Sequence, residues 1–169
     1  VRLADGYEVA NYRSSIVEIF INDKVLAELI LNRTITTIDD SDLQTELTRH
    51  HIFPYLKKPD FQDTSSVVIL VGIKDNQSRR NSSFVEFEIT IYCIAHEDII
   101  KIPKGKPHSG CLRTDLMCAR IRELLFEKQN FGLGELEYMG GDEVQLASSS
   151  FGGRVIRLGK MKDFRKSGC

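Results

Sequence analysis

Cys93, His96, His108 and Cys111 stand in the stretch CIAHEDIIKIPKGKPHSGC, which opens on Cys-x-x-His and closes on His-x-x-Cys. A thiolate and an imidazole at each end, with eleven residues between the histidines, match the donors of a four-ligand zinc site in type and spacing. A small zinc-stabilised binding module on these four side chains is therefore one reading. Strand geometry speaks against it. Cys93 continues the apolar alternation of Val85, Phe87, Ile89 and Ile91, and residues three apart on a strand point to opposite faces. Cys93 and His96 would meet on one ion only if the chain turned sharply near Ala95, and CIAH has no glycine for such a knuckle. The simpler expectation makes Cys93 a small core residue, His96 a polar strand end, and His108 and Cys111 members of a Gly/Pro loop. It involves no metal and no other cofactor.

The other chemically capable residues are as weakly organised. His50 and His51 could supply a base or a ligand, but no carboxylate at a fixed short spacing orients either ring. Asp39 and Asp40 fall in a polar stretch and read as solvated turn residues. No nucleophile elbow, zinc-protease, P-loop or dinucleotide fingerprint occurs. The expectation is a protein that is not an enzyme. Two basic features remain. Lys101, Lys104 and Lys106 fall in IIKIPKGKPHSG, and Arg154, Arg157, Lys160, Lys162, Arg165 and Lys166 lie towards the C-terminus. In a strand Arg154, Lys160 and Lys162 share one parity and Arg157 takes the other, unless a bulge at Gly153 or Gly159 intervenes.

Length and composition bound what these residues can belong to. A chain of 169 residues suits one domain and can bury about 70% of its unfolded surface, so its core needs no metal or disulfide. Formal net charge is −1, which leaves no global field to draw nucleic acid or membrane. No apolar run nears the ~18 residues of a membrane span, and no signal-peptide h-region is visible. The sparse cysteines suggest a reducing compartment.

Hydrophobic periodicity predicts a helix from about 8 to 21 and a second in DKVLAELILN, with Asn22 as its N-cap. Residues 33–63 read as an extended connector pinned by Ile52, Phe53, Tyr55 and Leu56. SSVVILVGI (65–73) reads as a buried central strand, KDNQSRRNSS (74–83) as a loop, and FVEFEITIYCIAH (84–96) as an alternating strand paired with the first. Residues 97–111 form a projecting loop whose length suggests function, with Ile99, Ile100 and Ile102 apolar beyond what water contact requires. A helix follows, capped by Thr114 or Asp115, with Met117, Ile121, Leu124, Leu125 and Lys128 along one stripe and Gly132 ending it. Two or three strands close the chain, split by the Gly pairs at 140–141 and 152–153. The order helix-helix-strand-strand-helix-strand-strand predicts a single α+β domain, its mostly antiparallel or mixed sheet flanked by helices.

This order, with IFPY in the connector, a hairpin ending IYCIAH, a helix opening RTDLMCARIRELL and ending NFGLGELEY, and a closing GGRVIRLGKMKDF, resembles the tail-terminator or neck proteins of long-tailed phages, prophages and phage-tail-like particles. The likeness runs from about 8 to 165, with the two-helix start and the long connector as additions. It implies a homo-oligomer, a hexameric ring that caps the tail tube, stops its polymerisation and faces the head connector. It implies tail-tube, sheath and neck partners, DNA passing the lumen, and no membrane. The location would be the virion tail or a tail-like particle, and the host cytoplasm during assembly. Ile99, Ile100, Lys101, Ile102, Lys104 and Lys106 then become the contact loop, and Arg154, Arg157, Lys160 and Lys162 candidates for a basic lumen. A head–tail adaptor of the same particle is the nearest alternative.

Overall fold

The computed structural model describes residues 3–56, 65–77, 84–127, 136–146 and 150–163. Helix α1 (Leu3–Ile21) sinks Tyr12, Ile16 and Phe20, one per turn, into the core. It begins earlier than the apolar spacing indicated. Helix α2 (Lys24–Leu31) is capped by Asp23, not Asn22: the Asp23 carboxylate accepts the Leu26 N–H at 2.8 Å. Asn32, at φ 55°, ends it in the left-handed conformation that asparagine tolerates.

The expected connector is folded. Asp40 caps a short helix α3 (Ser41–Glu46), which runs into a π-helical turn over Leu47–His51 and then a two-residue strand β1 (Ile52–Phe53). Leu43, Leu47 and Ile52 are buried and hold this segment down. Single apolar anchors in a polar sequence give no sustained period, which is why the segment reads as irregular. Residues 57–63 of it lie outside the described residues.

β2 (Val67–Gln77) and β3 (Phe84–His96) pair antiparallel from Val67↔Ala95 to Gln77↔Val85, so β2 runs on through residues expected in a loop. A single helical turn, α4 (Glu97–Ile100), leads towards α5 (Arg113–Glu127), which buries Met117, Cys118, Ile121, Leu124 and Leu125. α5 starts at Arg113, so Thr114 and Asp115 belong to its first turn and do not cap it. Lys128 and Gly132 lie outside the described residues.

β4 (Glu137–Gln145) and β5 (Phe151–Asp163) close the chain, and the Gly pairs lie inside them. Gly140, at φ 129°, sits at a register shift in β4, and at Gly153 the β3 backbone passes too close for a side chain. The sheet order is β1-β2-β3-β5-β4, with β1 parallel to β2 and every other pair antiparallel.

Helices α1, α2 and α5 cover one face of this mixed sheet. Ile16, Phe20, Leu26, Met117 and Ile121 meet Ile69, Ile89, Ile91, Cys93 and Ile156 in one core. The opposite face carries a smaller cluster of Val68, Leu70, Ile94 and Phe151. β2 is thus buried on both faces, as its unbroken β-branched run implies. The domain is small and α+β. Among the described residues no helix is long and apolar enough to cross a membrane.

Candidate interaction surface

The segment after β3 is built as a braced arm. His96 caps α4, its ring nitrogen accepting the Asp98 N–H at 3.3 Å, while the ring stands edge-on to Phe151 with centroids 5.0 Å apart. α4 then turns the chain so that Ile99 and Ile100 pack against the main core. Lys101 pairs with Leu112 in an antiparallel bridge, the Ile102 N–H donates to Cys111 O at 3.0 Å, and the Gly110 N–H donates to Ile102 O at 3.1 Å. Ile102 is only 8% exposed. The three isoleucines are therefore anchors of the arm and do not form its contact surface. The stem was not legible because its bridge joins residues eleven apart with no alternating run.

Beyond the stem, residues 103–111 are exposed. Gly105 (φ 84°), His108 (φ 60°) and Gly110 (φ 87°) take left-handed conformations that close the tip. Lys101, Lys104 and Lys106 face solvent, and none has a carboxylate partner among the described residues.

Arg113 fixes the arm to the body. It is 2% exposed and donates to Ile99 O at 2.9 Å, Leu29 O at 2.7 Å and Asn32 Oδ1 at 2.8 Å. One guanidinium thus joins the arm's base, the end of α2 and its cap. Burial lowers its pKa from the ordinary value, and the three acceptors give each of its nitrogens a partner in place of a counter-ion. Sequence inspection passes over Arg113 because its partners are two backbone carbonyls and a distant asparagine, none with a spacing rule.

The palindromic residues are not brought together. Cys93 is buried beside Cys118, and hydrogen bonding to Cys118, with burial second, pushes its thiol up. His96 is engaged by Phe151 and Asp98, while His108 and Cys111 are exposed on the arm. Among the described residues no group of three or more His, Cys, Asp or Glu side chains could hold a metal ion. His51 turns inward instead, its Nδ1 at 2.7 Å from Val67 O. Because the partner is a carbonyl, Nδ1 carries the proton, and the ring clamps the π turn to β2.

The basic residues of β5 divide. Arg154 reaches Asp115 of α5 at 2.9 Å on the helical face, and Arg157 reaches Asp142 of β4 at 2.6 Å on the other. Each pairing raises the arginine's pKa. Residues three apart leave a strand on opposite sides, so these two arginines do not line one surface. Lys160 and Lys162 pair in register with Phe87 and Val85, but their side chains, like Arg165 and Lys166, lie outside the described residues.

A protein-family model, YomW, matches residues 23–158, from the cap of α2 to the middle of β5. No curated protein matches the chain.

Proposed function

The chain belongs to the YomW family, phage-related and named after a Bacillus phage or prophage gene, and from that premise we propose that it is a structural assembly protein of a phage tail. Its role is that of a tail terminator. Copies join in a ring, probed below as a hexamer, that caps the tail tube and offers a surface to the neck. Work of this kind is done by shape and contact and requires no catalytic group or cofactor.

The observation that carries this reading is the arm. Its base is bound by Arg113 and its stem by the Lys101–Leu112 bridge, while Lys104 and Lys106 stand clear of any carboxylate of the described residues. A stiff loop loses little entropy on docking, so such an arm suits a contact element of an assembly. The family match supplies the phage setting, and the element order around the arm supports the terminator role within it.

Tail length tests the proposal. Tails assembled without this chain should overrun to variable lengths, and adding the purified protein during assembly should restore one length. Tails of normal length that fail only to join heads would replace the terminator role with that of a head–tail adaptor.

A further inference from the structure

β4 is an edge strand of nine residues, and among the described residues its outward backbone N–H and C=O groups have no partner. Long free edges invite pairing with another chain, and proteins usually blunt them. This edge is guarded by the register shift at Gly140 and by charge of one sign, which makes it selective. It carries Glu137, Asp142 and Glu143 and no basic residue. Asp142 is taken by Arg157, whereas Glu137 and Glu143 are exposed and without a partner among the described residues.

Beside the end of β4 lies a cavity of about 360 Å³, lined by Glu97 and Glu143, by Asp115, which Arg154 holds, and by the apolar Ile100, Val144 and Phe151. Carboxylates around an apolar throat suit a lysine, whose methylenes pack while its ammonium reaches the acids. Two β4 edges laid together would crowd carboxylates on carboxylates, so the edge is set against itself as a partner.

The arm has the complementary character. Residues 101–112 contain three lysines and no acid. Its base adjoins the acidic cavity of its own chain through Ile100 and Leu112, but its tip lies elsewhere. Lys106, Pro107 and His108 line a second cavity with Val25 and Leu29 of α2, and α2 packs on α5 and β2. β4 lies beyond β5, on the other side of α5.

We infer that the β4 edge and the acidic cavity beside it receive the lysine-bearing arm of a second copy of this chain, packed head to tail. Two different surfaces meeting in this way generate a closed ring when the rotation closes. The inference rests on the ring reading above and adds to it the receiving surface.

The test is a charge exchange read by sedimentation at low salt. One variant carries Glu137→Lys and Glu143→Lys, and the other carries Lys101→Glu, Lys104→Glu and Lys106→Glu. All five side chains are exposed, and circular dichroism checks that both variants fold. The wild type should sediment as a ring and each variant alone as a monomer. Their equimolar mixture should regain the ring, because each edge then meets an arm of opposite charge and a hexamer can alternate the two copies. If the reversal at the edge unfolds the chain, Glu137→Gln with Glu143→Gln should instead raise the dissociation constant about tenfold. Rings formed by each variant alone overturn this interface and leave the ring reading standing. A mixture that stays monomeric overturns the pairing of these two surfaces. A wild type that is monomeric at every concentration removes the ring reading and this inference with it.

Discussion

Asp23 and Arg120 tie α2 to α5: the Asp23 carboxylate caps α2 through the Leu26 N–H and takes a 2.7 Å ion pair from Arg120. Hydrogen bonds from Arg120 to Asp23 and to Glu123 raise the arginine's pKa. One small carboxylate thus satisfies a helix end and joins two helices of the core layer. Asp23→Ala should lose about 2 kcal/mol of stability, a cap plus a partly buried charged hydrogen bond. Asp23→Asn retains the cap and should lose about half of that. Urea denaturation of the two variants measures both, and equal losses would mean that the ion pair with Arg120 matters and the cap does not.

Adjacent glycines in β5 should respond oppositely to a methyl group. A Cβ at Gly153 would run into Cys93 O, whereas at Gly152 its nearest neighbour is Val144 O at 3.6 Å. Gly153→Ala must push β3 and β5 apart and should cost about 3 kcal/mol or more. Gly152→Ala should fall within about 1 kcal/mol of the parent, since a β5 alanine there meets only ordinary contact. Thermal melts compare them, and similar melting temperatures would contradict this β3–β5 packing.

His51 makes stability depend on pH. Burial lowers its folded-state pKa below the ordinary 6.5, against the opposing pull of its hydrogen bond to Val67 O and the charge of Glu46. Between the lowered folded value and 6.5 the unfolded chain binds the extra proton, so stability rises with pH across that window. The contribution is complete above 6.5, declines as pH falls below it, and levels off beneath the folded pKa. His51→Asn retains a donor for Val67 O and cannot titrate. Its denaturation midpoint should vary less with pH between neutral and mildly acidic buffer, and parallel pH profiles would remove His51 as the source.

The arm's two parts should separate on deletion. Removing 99–107 takes out Ile99, Ile100 and Ile102, which pack into the body, and should destabilise the monomer. Replacing 103–109 by a short glycine linker removes only exposed residues and should leave the fold intact while abolishing assembly. Circular dichroism reports the fold and tail-length measurement the assembly. Normal tails from the second variant would end the arm's role.

Where an element has its own period, the chain announces it. Ile89, Ile91 and Cys93 alternate into the core of β3, and Met117, Ile121, Leu124 and Leu125 mark the buried stripe of α5. Features made by partners distant in sequence leave no such trace. β1 is too short to alternate and exists because Ile52 and Phe53 lie in register with Ile69 and Leu70. The glycines of β4 and β5 look like breaks, although Gly153 is required by the approach of Cys93 O. The arm's lysines and its length were visible, but its stem depends on the Lys101–Leu112 bridge and on Arg113 reaching back to α2. The receiving edge was hidden for the same reason, since strand order decides which strand is left without a neighbour.

Native mass spectrometry of the purified chain tests the central claim most directly, because one spectrum gives copy number and bound metal together. The account predicts a closed ring of a single copy number, a hexamer, with no metal mass. A monomer at every concentration, and above all a monomer carrying zinc, would contradict it.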